Sequence, residues 1–255
     1  VHGGGWVLGS KYEQGKPLLH YLASRGFVCI TANYRLAVRD PFPAQIIDVK
    51  RAIAWVRRHV AEHGGDPRLL VIAGNSAGAH LASLAALTPN VKALQPDLED
   101  VDTRVAGCVA LYGVYDFVDD DKDWHHHDFR RLLHRVIMRA RLEDARDAYL
   151  AASPLYRVGP DAPPFFVIHG DRDTLAPVQG ARRFVAALRA VSKTPVFYAE
   201  IPGAQHAFEI FPSVRTEAAL RAVERFCRFA ALLAVREAGA PDLSASRDLR
   251  AAREG

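Results

Sequence analysis

Leu69-Leu70-Val71-Ile72-Ala73-Gly74-Asn75-Ser76-Ala77-Gly78-Ala79-His80-Leu81 decides how this chain folds. Five apolar residues without alternation read as a strand buried on both faces, the habit of parallel sheets. The run passes directly into a serine boxed between glycines. It then continues in a helical pattern carrying Ala77, Leu81, Leu84 and Leu87. A strand-to-helix turn this sharp strains the backbone at the serine, and a bulky neighbour two positions away would clash, so Gly74 and Gly78 are required. Ser76 then projects above the sheet at a helix N-terminus, where the helix dipole favours developing negative charge.

The same rhythm recurs outward from this unit. Apolar runs of strand length lie at 27–32, 105–111, 165–168 and 196–201. Helical patterns separate them at about 16–24, 77–87, 178–191 and 213–234. Between 44 and 63, Ile46, Val49, Ile53, Val56 and Val60 form one stripe of a 3.6-residue period. Strands alternating with helices predict an α/β fold, a mostly parallel, doubly wound sheet with helices on both faces. Residues 116–160 break the pattern with an acidic run, three consecutive histidines and two helical stretches but no core strand. They read as a partial helical lid inserted over the carboxyl edge of the sheet. Residues 1–235 are expected to form one catalytic domain, and 236–255 a polar, disordered tail.

Composition narrows the function classes. The 255 residues are 49% hydrophobic and 24% charged with a net charge of +4, which suits one globular domain. The arginines are scattered, with no basic stripe interleaved with aromatics, which argues against a nucleic-acid partner. Cys29, Cys108 and Cys227 sit in separate apolar runs and read as small buried hydrophobes. No run of eighteen apolar residues and no signal peptide is visible. His125-His126-His127 lies among Asp120, Asp121, Asp123 and Asp128, yet consecutive histidines diverge on a helix. Arg130 and Arg131 share their faces, so the segment reads as solvated lid surface and not as a metal site.

The chemistry is carried by three separated positions and a loop. A serine hydroxyl needs a base, and His206 in Pro202-Gly203-Ala204-Gln205-His206 follows the run 196–201. The orienting acid is best placed at Asp173 in His169-Gly170-Asp171-Arg172-Asp173, with Asp171 as rival. Ser76, Asp173 and His206 all lie just past strand ends, where sites in open α/β sheets converge. His2-Gly3-Gly4-Gly5-Trp6 is a glycine-rich loop able to offer backbone amides. Gly4, Gly5 and Ala77 are the expected oxyanion donors, and His2 is expected to brace the loop. Gly-x-Ser-x-Gly arises by chance in roughly one chain in twenty of this size, so the serine motif alone decides nothing. Its combination with the loop, the acid and the base, in the order Ser, Asp, His, points to acyl transfer. A loop of this type belongs at the carboxyl end of a core strand, and almost none of that strand precedes it. N-terminal strands are therefore expected to be missing from the sequence.

Together these residues resemble the hormone-sensitive-lipase-like bacterial esterases and lipases of the α/β-hydrolase superfamily. The resemblance also takes in Asn33-Tyr34-Arg35-Leu36, Phe42-Pro43, Asp48, Leu111-Tyr112-Gly113-Val114-Tyr115-Asp116 and Pro163-Pro164-Phe165-Phe166-Val167-Ile168-His169-Gly170. Asn75 departs from it, the family often having Asp or Gly there. The resemblance implies an α/β-hydrolase fold and hydrolysis of short- to medium-chain acyl esters by Ser76, Asp173 and His206. It implies no metal or organic cofactor and a small-molecule ester as partner, with membrane contact through an N-terminal region. Amide or formamide hydrolysis, as in kynurenine-formamidase-like enzymes, uses similar parts. A non-catalytic small-molecule receptor or an inactive fragment on the same fold is the alternative from another class.

Overall fold

The computed structural model describes residues 1–124, 127–237 and 239. Four parallel strands form one sheet in the order β1 (Val71–Asn75), β2 (Gly107–Leu111), β3 (Phe165–Gly170), β4 (Val196–Ile201). Every residue of β2 and β3 is buried, which explains their unbroken apolar runs. β4, at the sheet's edge, keeps Phe197 exposed.

Helices cover both faces. On one side lie α2 (Ala44–His59), α3 (Ala77–Leu87) and α6 (Val178–Val191); on the other lie α1 (Lys16–Ala23) and α7 (Val214–Glu237). The architecture is α/β, as expected from the alternation of strands and helices: a parallel sheet flanked by helices on both faces. α3 is buried from Ala77 to Ala86, and its small side chains let it lie close on β1 and β2. The stripe of α2 buries Ile46, Val49 and Ile53, each worth about 1.5–3 kcal/mol. Lys50, off that stripe, is nonetheless fully buried. Its Nζ donates to the carbonyls of Ala85 and Thr88 at the end of α3, and to Thr103 Oγ1 at 3.1 Å. A charged side chain thereby satisfies the orphan carbonyls of a buried helix end.

The run 27–32 corrects one expectation. It carries no strand ladder, and Val28 and Ile30 remain 42% and 37% exposed. Between it and β1 runs a trench of about 510 Å³, walled by Phe27, Cys29 and Thr31 on one side and by Val71 and Ala73 on the other. An apolar run becomes a strand only beside a partner at hydrogen-bonding distance, and here the trench separates the two. Val1 N donates to Ala73 O at 2.7 Å at one end of it.

Residues 116–160 contain α4 (His127–Leu132), continued by a π turn over Leu133–Ile137, and α5 (Arg146–Ala152). This segment is pinned down: Phe42 N donates to Ile137 O at 2.8 Å and Leu155 N to Tyr115 O at 2.9 Å. Phe117, Leu133, Ile137 and Tyr149 are buried. Asp119 accepts from Arg130 at 2.7 Å and Asp120 from Arg146 at 2.6 Å, while Asp121 and Asp123 both pair with Arg183, so four of its acidic residues are matched by arginines. His125 and His126 lie outside the described residues, as does nearly all of the expected tail. No helix among the described residues is long and apolar enough to cross a membrane.

Candidate active site

Each of the four strands leads, within five residues of its end, to a residue of one cluster: Ser76, Tyr112, Asp173 and His206. Ser76 follows β1, and its backbone sits at φ 55°, ψ −122°, a left-handed conformation costly for a residue with a Cβ. Ser76 N donates to Leu111 O at 2.9 Å, while its carbonyl accepts from the amides of Ala79 (2.9 Å) and His80 (3.1 Å). These bonds hold the strained turn from both sides. A Cβ on Gly74 would collide with the Gly78 carbonyl, and one on Gly78 would collide with the carbonyls of Val1 and His2. The two glycines thus let the elbow close on itself and let the glycine-rich loop lie against it.

Ser76 Oγ lies 2.9 Å from His206 Nε2, and His206 Nδ1 lies 2.7 Å from Asp173 Oδ2. The structure brings these three sequence-predicted residues into one hydrogen-bonded line from three loops. Asp173 is tightly held. Its Oδ1 accepts the amides of Leu175 (2.9 Å) and Ala176 (2.8 Å), and His169 Nε2 stands 3.3 Å from Oδ2. Burial alone would raise this carboxyl. The hydrogen bonds of His169 and His206, the charge of His206 and the Ala176 amide outweigh it and hold Asp173 well below the usual carboxylate range. With Asp173 ionised, His206 carries its proton on Nδ1, leaving Nε2 as the acceptor for Ser76 Oγ–H.

Asp171 lies apart from this line. Its Oδ1 accepts the Gly203 amide at 2.7 Å, and Arg172 N donates to Ala204 O at 3.0 Å. Asp171 therefore ties the loop after β3 to the loop bearing His206.

In the glycine-rich loop, Gly4 takes φ 109° and Gly5 φ 58°, beyond the easy reach of other residues. The amides of Gly4, Gly5 and Ala77 donate to no acceptor among the described residues. Free backbone donors of this kind suit an oxyanion. His2 does brace the loop: its ring stacks on Tyr34 at 4.1 Å, and Tyr34 Oη donates to the His2 carbonyl at 3.1 Å.

Trp6 anchors the other end of the loop. Its Nε1–H donates to His80 Nδ1 at 3.1 Å, and His80 Nε2–H donates to Ala152 O at 2.8 Å. Burial pushes His80 down to about 4, only partly opposed by the Ala152 bond, so this imidazole stays neutral. It joins the loop, α3 and the end of α5 through one ring.

Sequence reasoning missed four polar residues here: His80, His169, Tyr112 and Glu209. Tyr112 and His169 lie in quoted motifs, but nothing in spacing distinguishes them from core residues. Asn75, singled out as a departure, donates through Nδ2 to Gln14 Oε1 (3.1 Å) and Tyr112 Oη (3.2 Å).

The BD-FAE family model matches residues 1–188. A probable carboxylic ester hydrolase of Mycobacterium tuberculosis, LipM, is 49% identical over 226 residues, covering 89% of this chain and 52% of its own length. The esterase LipQ of the same organism is 44% identical over 226 residues, covering 89% and 53%. The chain thus spans about half the length of the curated relatives it matches. Among solved structures, the propionate-bound form of a thermophilic esterase from Thermogutta terrifontis superposes with a TM-score of 0.73 at 27% identity. That match covers 88% of this chain and 79% of the other. With the family model spanning most of its length, this chain belongs to the BD-FAE family, within the hormone-sensitive-lipase-like esterases of the α/β-hydrolase superfamily.

Proposed function

We propose that this chain is the catalytic part of a serine carboxylic-ester hydrolase acting on short- to medium-chain acyl esters. The observation that carries it is the unbroken line from Ser76 Oγ through His206 to Asp173, at 2.9 and 2.7 Å. Ser76 Oγ attacks the ester carbonyl while His206 Nε2 takes its proton. The carbonyl oxygen becomes an oxyanion facing the amides of Gly4, Gly5 and Ala77. His206 then delivers that proton to the departing alkoxide, which leaves as the alcohol and an acyl-Ser76 remains. Water, deprotonated by His206, attacks the acyl carbon, and the proton returns to Ser76 Oγ as the acid departs. Asp173 keeps the imidazole in the required tautomer throughout and stabilises its cationic form. Residues 116–160 form the lid side of the site, and residues 1–235 the catalytic unit.

The relatives named as esterases support ester over amide chemistry. The Thermogutta terrifontis esterase is described with bound propionate, with bound butyrate and phosphonylated by sarin, which supports small acyl groups and a reactive nucleophile. The test is hydrolysis of p-nitrophenyl esters of two to twelve carbons by the chain and by Ser76→Ala. Loss of the nucleophile is expected to lower kcat by roughly 10⁴–10⁶. Equal rates from the two proteins would refute the reading.

A further inference from the structure

A buried acid that the acyl-transfer steps do not use lies three residues beyond the base. Glu209 is 2% exposed, and its Oε1 accepts a hydrogen bond from Tyr112 Oη. Its Oε2 has no hydrogen-bond partner among the described residues. Tyr112 is itself fully buried at the end of β2, with its ring edge-on to His206 at 4.6 Å between centroids and 62° between planes. The same hydroxyl accepts from Asn75 Nδ2 at 3.2 Å, and Asn75 directly precedes Ser76. Asn75 in turn donates to Gln14, just beyond the glycine-rich loop. One polar chain, Gln14–Asn75–Tyr112–Glu209, therefore links the flank of the glycine-rich loop, the serine elbow and the loop bearing His206.

This chain is expensive as mere packing. A buried carboxyl with an unsatisfied oxygen costs stability, and an apolar pair of similar shape would cost less. The cost falls beside the one group that must become cationic during acyl transfer. Burial raises Glu209, opposed by the Tyr112 hydrogen bond, its own backbone amide and the charge of His206. Burial, then the charge and hydrogen bond of Glu209, raise Tyr112 well above its ordinary value, so the shared proton stays on the phenol.

We propose that Glu209 is a positioning residue for this site: through Tyr112 it fixes the ring of His206 toward Ser76, and it holds a second negative charge near the imidazolium. The proposal rests on the Ser76–His206–Asp173 reading. The titratable groups that face the Glu209–Tyr112 pair are His206 from the same loop and Asp173 from the loop after β3, whose charge also reaches Tyr112.

The experiment is steady-state hydrolysis of p-nitrophenyl butyrate from pH 5 to 9 by wild type, Glu209→Gln and Tyr112→Phe, with circular dichroism to establish folding. Glutamine can still accept from Tyr112 but carries no charge. Its kcat is expected to fall about tenfold with KM little changed. The acidic limb of the kcat/KM profile is expected to move down by about one pH unit, because a neutral neighbour no longer favours the protonated imidazole. Tyr112→Phe strips the carboxylate of its donor and moves the limb in the same direction. A purely structural role would lower the melting temperature and leave the limb in place. Folded Glu209→Gln with wild-type kcat and an unmoved limb overturns the proposal. If that variant fails to fold, Tyr112→Phe decides by the same limb. Ser76→Ala and His206→Ala run alongside. Activity surviving in them sinks the triad reading itself, whereas its loss there with an unmoved limb in the Glu209 variant sinks only the role given to Glu209.

Discussion

Asp173→Asn tests the site with almost no change of shape. Four groups surround the carboxylate: the Leu175 and Ala176 amides at 2.9 and 2.8 Å, His206 Nδ1 at 2.7 Å and His169 Nε2 at 3.3 Å. An asparagine can keep its oxygen on the two amides, so the loop should hold. Its NH₂ then replaces Oδ2 and faces His206 Nδ1 as a donor. The imidazole answers by moving its proton to Nε2, the atom 2.9 Å from Ser76 Oγ, and the base is lost. In a serine protease the equivalent exchange lowers kcat about 10⁴-fold, and the same is expected here. At ~1.4 kcal/mol per decade that is about 5.5 kcal/mol of transition-state stabilisation. Asp171→Asn is the internal control. It removes charge from a carboxylate that accepts the Gly203 amide at 2.7 Å and has no contact with His206, and kcat should stay within about threefold. The assay is kcat on p-nitrophenyl butyrate for both variants, with thermal melts to exclude unfolding. More than a tenth of wild-type kcat in folded Asp173→Asn, or a collapse in Asp171→Asn instead, would refute the reasoning.

Three further outcomes follow from packing and charge. Lys50→Met should cost about 1–3 kcal/mol at pH 7 by leaving the carbonyls of Ala85 and Thr88 unpaired, measured by urea denaturation. Burial, partly opposed by the charge of Asp102, pushes Lys50 down to about 8, below its unfolded value of 10.5. The unfolded chain then binds the extra proton, so between pH 8 and 10 Lys50 adds a stability gain of up to about 2–3 kcal/mol that Lys50→Met should lack. His80 works the same way lower on the scale: at about 4 folded against 6.5 unfolded, its share of stability is complete above pH 6.5 and drains by up to about 3 kcal/mol as pH falls to 4. A His80→Phe variant should melt with a flatter pH dependence across that window, and an unchanged slope would contradict a neutral buried imidazole. Gly78→Ala drives a methyl into the carbonyls of Val1 and His2, so it should displace the glycine-rich loop and lower kcat at least 100-fold on p-nitrophenyl butyrate.

Much of the site was legible because its signals are local. Gly74 and Gly78 around Ser76 report a backbone strain that any reader of the motif can infer, and the structure shows it as a φ of 55°. The unbroken apolar runs of β2 and β3 announce burial on both faces, and β4 begins and ends where its run does. Helices α3 and α6 likewise match their periodic segments. The run 27–32 misled because apolar content is a property of the chain, whereas a strand is a property of a pair; its would-be partner lies across the trench.

By itself, then, the sequence determined the strand–elbow–helix unit, the alternation that makes a parallel sheet, and Ser76, Asp173 and His206 as residues past strand ends. Only the tertiary structure decided which aspartate faces the imidazole, because Asp171 and Asp173 differ by two residues of loop and not by chemistry. It alone brought His80 between Trp6 and Ala152, and Glu209 onto Tyr112 beneath the base. Those partners are separated by about 70 to 100 positions. A hydrogen bond between distant segments leaves no period or spacing in the chain; it exists only once the sheet has set the ends of its strands side by side.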